Sequence, residues 1–155
     1  MNWLKKLVEK KPSEESEEYW VYASNKKKKK YESLTGNCGK WLIFAYNGVK
    51  LDGIWKGVKK ATERGLLGDS AKCSTMRDNP NSINKKSGVI CVYTYDSKDK
   101  EDLKRVAKEL FKIKDVDKLC YKEDSATFEG KYSVNGDKNI SKWFVTKENF
   151  NEGLR

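Results

Sequence analysis

The chain contains no histidine. That removes the side chain that titrates closest to neutral pH and the commonest nitrogen ligand for metals. Any acid–base chemistry falls to lysine, carboxylate, tyrosine or cysteine. Lysine dominates the positive charge, because arginine occurs only at Arg64, Arg77, Arg105 and Arg155 while Lys+Arg total 33 against 23 Asp+Glu, a net +10. Such a surplus spreads a diffuse field that attracts anions. The arginine forks by which proteins read base edges are scarce. Within this background a few polar side chains have the types and spacing to do chemistry. Lys72 and Ser74 alternate onto one face of a strand-like run, and Arg77 begins the loop after it. Thr94 lies in a strongly β-forming run with Tyr93 pointing the opposite way. Lys122 and Thr127 fall in later strand-like segments. Gathered by a sheet, Lys72, Ser74, Arg77, Thr94, Lys122 and Thr127 would present charge-assisted donors to phosphate oxygens. Tyr31, Tyr93 or Tyr121 would stack a base. The plainer reading of the same residues is solvated edge lysines and cross-strand hydroxyl pairs.

The expected function is therefore a binding module for a phosphate-bearing ligand: a nucleotide, a nucleotide-like signal or a single-stranded RNA. A phosphate-chemistry enzyme is the alternative, with Lys72 or Lys122 as a base of lowered pKa and Asp96 and Asp124 as carboxylates. No glycine-rich phosphate loop, metal triad or nucleophile elbow is present to support it, and no cofactor or metal is expected. A third possibility is a protein-interaction adaptor without a small ligand. Cys38, Cys73, Cys91 and Cys120 are too widely spaced for a CxxC clip. Most lie in strand-like segments, where cysteine behaves as a small buried hydrophobe, and they are expected to be reduced. The sequence shows no secretory apolar region and no apolar run of membrane-spanning length, so a cytoplasmic protein with no membrane partner is expected.

The elements that must position these side chains follow from periodicity. At 155 residues one domain is expected. Residues 1–18 read as an amphipathic segment, with Trp3, Leu4, Leu7 and Val8 at helical spacing before Pro12, followed by an acidic linker. Residues 19–155 form the domain. Strands are expected over 19–23, 40–46, 70–75, 88–95, 119–122, 127–134 and 140–144. The 40–46 strand is apolar on both sides and therefore central. Asn47-Gly48 turns the chain, and Asn135-Gly136 is a hairpin signal. One helix is expected to be capped by Asp52, with Leu51, Ile54, Trp55, Val58 and Ala61 on its apolar stripe and Gly65 at its end. A second is capped by Asp99 with Asp102 at the third helical position, its stripe running Leu103, Val106, Ala107, Leu110 and Phe111. Arg105 and Lys108 fall off that stripe and read as solvated charge. The five lysines 26–30 cannot pack together and must form a solvated loop. It serves either as an electrostatic landing strip or as nothing more than a loop. The order predicts an α+β fold, a mostly antiparallel sheet with two long helices on one face and the other face left for something else.

Several strings carry a resemblance. They are Gly39-Lys40-Trp41, Trp55, Ala61-Thr62 through Gly65, Leu67-Gly68 and Ala71-Lys72, then Val89 to Asp96, Asp99 with Asp102, Arg105-Val106, Tyr121-Lys122, Asp124, Thr127, Gly130 and Tyr132. Taken in order over residues 39–132, they are similar to the family of the basophilic leukaemia-expressed protein. The resemblance implies a fold like the eukaryotic cap-binding translation initiation factor, a curved antiparallel sheet with the helices on its convex face. Lys72, Thr94, Lys122 and Thr127 of the polar candidates above are among the matching residues, and the resemblance implies that they share a site. It also implies a protein partner on the helical face or at the N-terminal helix. In the cap-binding factor two tryptophans from two loops sandwich the methylated base. Here the first loop, 24–39, offers Tyr31, and the second, 76–87, has no aromatic residue, so that sandwich is not expected.

Overall fold

The structure is a computed structural model that describes residues 10–27, 37–78, 80, 86–124 and 143–150. Six strands and two α-helices make up its frame: β1 (Trp20–Ser24), β2 (Gly39–Tyr46), α1 (Val49–Glu63), β3 (Ser70–Ser74), β4 (Ser87–Thr94), α2 (Lys100–Leu110), β5 (Lys118–Glu123) and β6 (Trp143–Thr146). The strands form one sheet in the order β1-β3-β4-β2-β5-β6, every pair antiparallel. The fold is thus α+β, with β2 and β4 at its centre.

Alternation along the strands decides which side chains meet the helices. Trp41, Ile43 and Ala45 of β2, Ile90 and Val92 of β4, Ala71 and Cys73 of β3, Leu119 and Tyr121 of β5, and Val145 of β6 join one core. Leu51, Ile54, Trp55 and Val58 of α1 and Leu103, Val106, Ala107 and Leu110 of α2 complete it. Both helices therefore cover the same face, as their apolar stripes require. The opposite face carries Trp20, Tyr22, Lys72, Val89, Cys91, Tyr93, Lys40, Leu42, Phe44, Tyr46, Cys120, Lys122 and Phe144, the residues in alternate phase.

Two glycines let neighbours approach. A Cβ on Gly39 would collide with the Tyr121 ring and the Lys122 carbonyl, and one on Gly68 would overlap the Tyr93 carbonyl. Only glycine fits where backbone passes this close.

Three expectations are corrected in detail. Asp52 does not cap α1. The helix starts a turn earlier, behind Gly48 at φ 107°, and Asp52 instead accepts from the Ser13 backbone N–H (3.0 Å) and Oγ (2.5 Å). That bond, a buried Pro12 and the Met76 N–H donated to the Glu15 carbonyl hold the acidic segment against the domain. Arg105 is not simply solvated: its guanidinium donates to the Leu66 and Leu67 carbonyls at 2.8 and 2.9 Å and pairs with Asp102 at 2.9 Å. It ties α2 to the loop between α1 and β3. The last strand, described over Trp143–Thr146, runs past its expected end at 144, with Lys118 of β5 opposite Thr146. Asp99 caps α2 as expected, its carboxylate accepting from the Asp102 N–H. The expected strand at 127–134 and the turn at Asn135-Gly136 lie outside the described residues.

Candidate anion-binding site

Strand register, not sequence proximity, assembles the site. Lys40 stands opposite Tyr93 on one side of β2 and opposite Lys122 on the other. Lys72 stands opposite Cys91. Three lysines from β3, β2 and β5 thus surround Cys91 and Tyr93 on the face away from the helices. Lys72 places its Nζ 3.8 Å from the centre of the Trp20 ring and 6.0 Å from that of Tyr93. The Lys40 Nζ sits 5.7 Å from the Tyr93 ring. Rings hold these ammonium groups by cation–π attraction while their charge stays available to an anion. Asp124 pairs with Lys40 at 3.2 Å. Lys122 is buried, only 4% exposed, and Lys40 is also buried. Both sit recessed, and Lys72, Trp20 and Tyr93 form the more accessible rim.

The electrostatics follow from this crowding. Burial pushes the Lys72 ammonium below its usual pKa, and the neighbouring Lys40 charge adds to the shift. Among the described residues Lys72 makes no ion pair. Cys91 is driven the other way: burial raises its thiol, although Lys72, Lys40 and Lys122 each pull it down. Burial wins, so Cys91 is a neutral filler at physiological pH and not a nucleophile. An anion entering between Lys72 and Tyr93 would meet the Lys72 charge, with Asp124 held by Lys40 as the carboxylate nearby.

The sequence-predicted residues divide between the two faces. Lys72, Lys122 and Tyr93 come together. Ser74 shares their face and accepts the Val89 N–H at 2.9 Å, ending the β3–β4 ladder. Arg77 is directed to the segment before β1, donating to the Glu17 carbonyl at 2.5 Å and lying 4.0 Å over the Tyr19 ring. Thr94 and Tyr121 lie under the helices, not with the lysines. Their hydroxyls are 2.7 Å apart, and Thr94 Oγ1 also donates to the Gly39 carbonyl. Tyr121 packs edge-on to Trp41 at 5.1 Å, and burial raises its pKa well above the ordinary phenol value. Tyr31 and Thr127 lie outside the described residues.

Sequence reasoning missed Lys40 and Trp20. The signal for Lys40 was a lysine in phase with Leu42, Phe44 and Tyr46 in a central strand, where a charge is out of place unless used. Of the two carboxylates considered for catalysis, Asp124 is at the site, while Asp96 accepts the Lys98 N–H in a turn. The four cysteines are free thiols. No described helix is long and apolar enough to cross a membrane.

Residues 28–128 match the model of the family described as basophilic leukemia-expressed protein Bles03. Among solved structures the fold is similar to schistosome eIF4E, described as complexed with m7GpppG and 4E-BP, with a TM-score of 0.53 at 13% identity. That match covers 70% of this chain and spans 59% of the other protein.

Proposed function

The chain belongs to the family of the basophilic leukemia-expressed protein Bles03, and from that premise we propose that it binds a phosphate-bearing ligand on the lysine-lined face of its sheet. The observation that carries this reading is the meeting of Lys72, Lys40 and Lys122 around Cys91 and Tyr93, with Trp20 beside Lys72. Burial and the neighbouring Lys40 charge disfavour the Lys72 ammonium, and an anion would relieve that cost. Lys72 and Tyr93 make direct contact with the ligand. Lys40 and Lys122 supply field from beneath. Trp20 and Tyr93 offer π-faces to a base. Thr127 and Tyr31 join this set through the family resemblance, and Ser74 and Arg77 sit at its margin. On this reading the sheet is curved, the helices lie on its convex side, and the lysines occupy the hollow.

The likeness to a protein solved with m7GpppG supports a nucleotide or RNA ligand here. The same neighbour was solved with 4E-BP, which supports a protein partner on the helical face. The free thiols suit a cytoplasmic setting. Binding is favoured over catalysis because Cys91 is held neutral and the site offers no histidine.

Thermal stability in the presence of nucleotides, cyclic nucleotides, short RNAs and phosphorylated peptides tests the proposal. A ligand-specific rise in Tm that Lys72→Ala abolishes is the expected result. A panel with no shift for any phosphate-bearing compound would remove the binding-module reading and favour the adaptor.

A further inference from the structure

One row of residues crosses all six described strands on the lysine face. Register places Tyr22, Lys72, Cys91, Leu42, Cys120 and Phe144 side by side, one from each strand. The row begins and ends in exposed rings, Tyr22 at 68% and Phe144 at 50%. Along central β2, on the same face, Phe44 and Tyr46 are 61% and 68% exposed. Rings this open in such number mark an interaction surface. Charge complementarity limits what can lie on it, because the lysines sit within the same array of rings.

Length limits the occupant further. Neighbouring strands lie about 4.8 Å apart, so Tyr22 and Phe144, at opposite edges of the six-stranded sheet, are separated by about 24 Å. A mononucleotide would engage the lysines and one ring and leave the others bare. A stacked strand rises about 3.4 Å per nucleotide, so the row matches a run of about seven. Exposed rings at both ends of the row and on β2 at Phe44 and Tyr46, with Lys72 among them, suit unpaired bases, each of which has a π-face whatever its identity. A duplex buries those faces and offers its backbone and groove edges instead. An acidic peptide satisfies the lysines but gives the rings no flat partners.

We infer that the occupant is a single-stranded nucleic acid lying across the strands, its phosphates drawn to the Lys72 cluster and its bases stacked on Phe44 and the neighbouring exposed rings. This rests on the phosphate-ligand reading above and narrows it. Recognition is sequence-tolerant, because stacking and ammonium charge read no base edge.

Fluorescence anisotropy with labelled oligonucleotides provides the test, using single strands of about two, four and eight nucleotides, a duplex of the longest length, ribose and deoxyribose forms, and a phosphorylated acidic peptide. A mononucleotide is followed by thermal shift and by competition. Affinity should climb with length, and the single strand should bind better than the duplex. Phe44→Ala should weaken the longest strand about tenfold while leaving the salt dependence unchanged. Lys72→Ala should reduce the slope of log affinity against log salt by about 1. Circular dichroism establishes that each variant is folded. A preference for one sugar supports the inference and names the source of the strand; equal binding of both supports it as sugar-blind. A mononucleotide as tight as the longest strand, with Phe44→Ala without effect, overturns the inference and leaves the phosphate-ligand reading standing. Tighter binding of the duplex or of the peptide also overturns it. Binding of no anionic ligand at all overturns both.

Discussion

Lys72 pays a stability penalty for its position. Burial and the Lys40 charge lower its pKa in the folded protein, so the unfolded chain holds that proton more tightly. Between the lowered folded value and the ordinary lysine value, the unfolded state binds more protons. The Lys72 contribution to stability therefore rises with pH through that window and is at its worst below it. Lys72→Met is expected to stabilise the protein at neutral pH by about 0.5–2 kcal/mol while abolishing phosphate binding. Cys73, Cys91 and Tyr121 have raised values and lose stability as the solution becomes alkaline. The measurement is thus the difference between wild type and variant in urea titrations across alkaline pH. A variant no more stable than wild type at pH 7 contradicts the picture. Tyr121→Phe probes the other face. Losing the hydroxyl contact to Thr94 should cost about 0.5–1.5 kcal/mol with no change in ligand affinity, since both hydroxyls lie under the helices. Weakened binding would mean that the two faces are coupled. Of the candidate site, Lys72 and Lys122 were singled out by the family resemblance, while strand phase set Tyr93 opposite to Thr94 without telling which of the two joins the lysines. Lys40 was not legible, because its partners Tyr93 and Lys122 reach it only through non-local register. Thr94 and Tyr121 were drawn to the wrong side for the same reason: phase along one strand is readable, but which phase faces the helices depends on all the strands together.

At the scale of elements, the central strands and both helices declared themselves because periodicity is local. The apolar stripes of α1 and α2 recur in the core as expected. Departures occur where a tertiary partner sets the boundary. β6 runs on to Thr146, where it pairs with Lys118 of β5, and the start of α1 is fixed by Gly48 while Asp52 is engaged by Ser13. Arg105 is the most informative departure, since nothing in a helical wheel reveals two carbonyls waiting beyond its solvent face. Its planar fork spans both of them and the Asp102 carboxylate, which a lysine ammonium cannot reproduce. Arg105→Lys should therefore destabilise by about 1–2 kcal/mol and speed amide exchange in α2 and the Leu66–Leu67 loop. Exchange that accelerated uniformly over the sheet would argue against a local tie.

For the molecule as a whole, the net charge of +10 has consequences at two ranges. Far from the surface it draws anions without selecting among them and is screened by salt. At contact, on the proposed reading, the ligand meets the lysines held among rings. Charge reversal of exposed lysines away from the sheet, for example Lys108→Glu on α2, should slow association and leave the dissociation rate nearly unchanged. Stopped-flow binding at several ionic strengths would measure both. A matching change in dissociation would mean that α2 touches the ligand.

The strand order carries a kinetic consequence. Chain neighbours β1 and β2 do not pair, and β2 waits for β4 and then β5, with long stretches of chain between them. Closing such loops before any contact rewards them makes folding slow, on the order of milliseconds to seconds. It also means that Lys40, Lys72 and Lys122 meet only when the sheet is nearly complete. Inorganic phosphate should therefore slow unfolding while leaving the refolding rate unchanged, a chevron shifted on one arm. A nascent or partly opened chain would be blind to the ligand, and release of a bound strand would be linked to the breathing of β5 from β2.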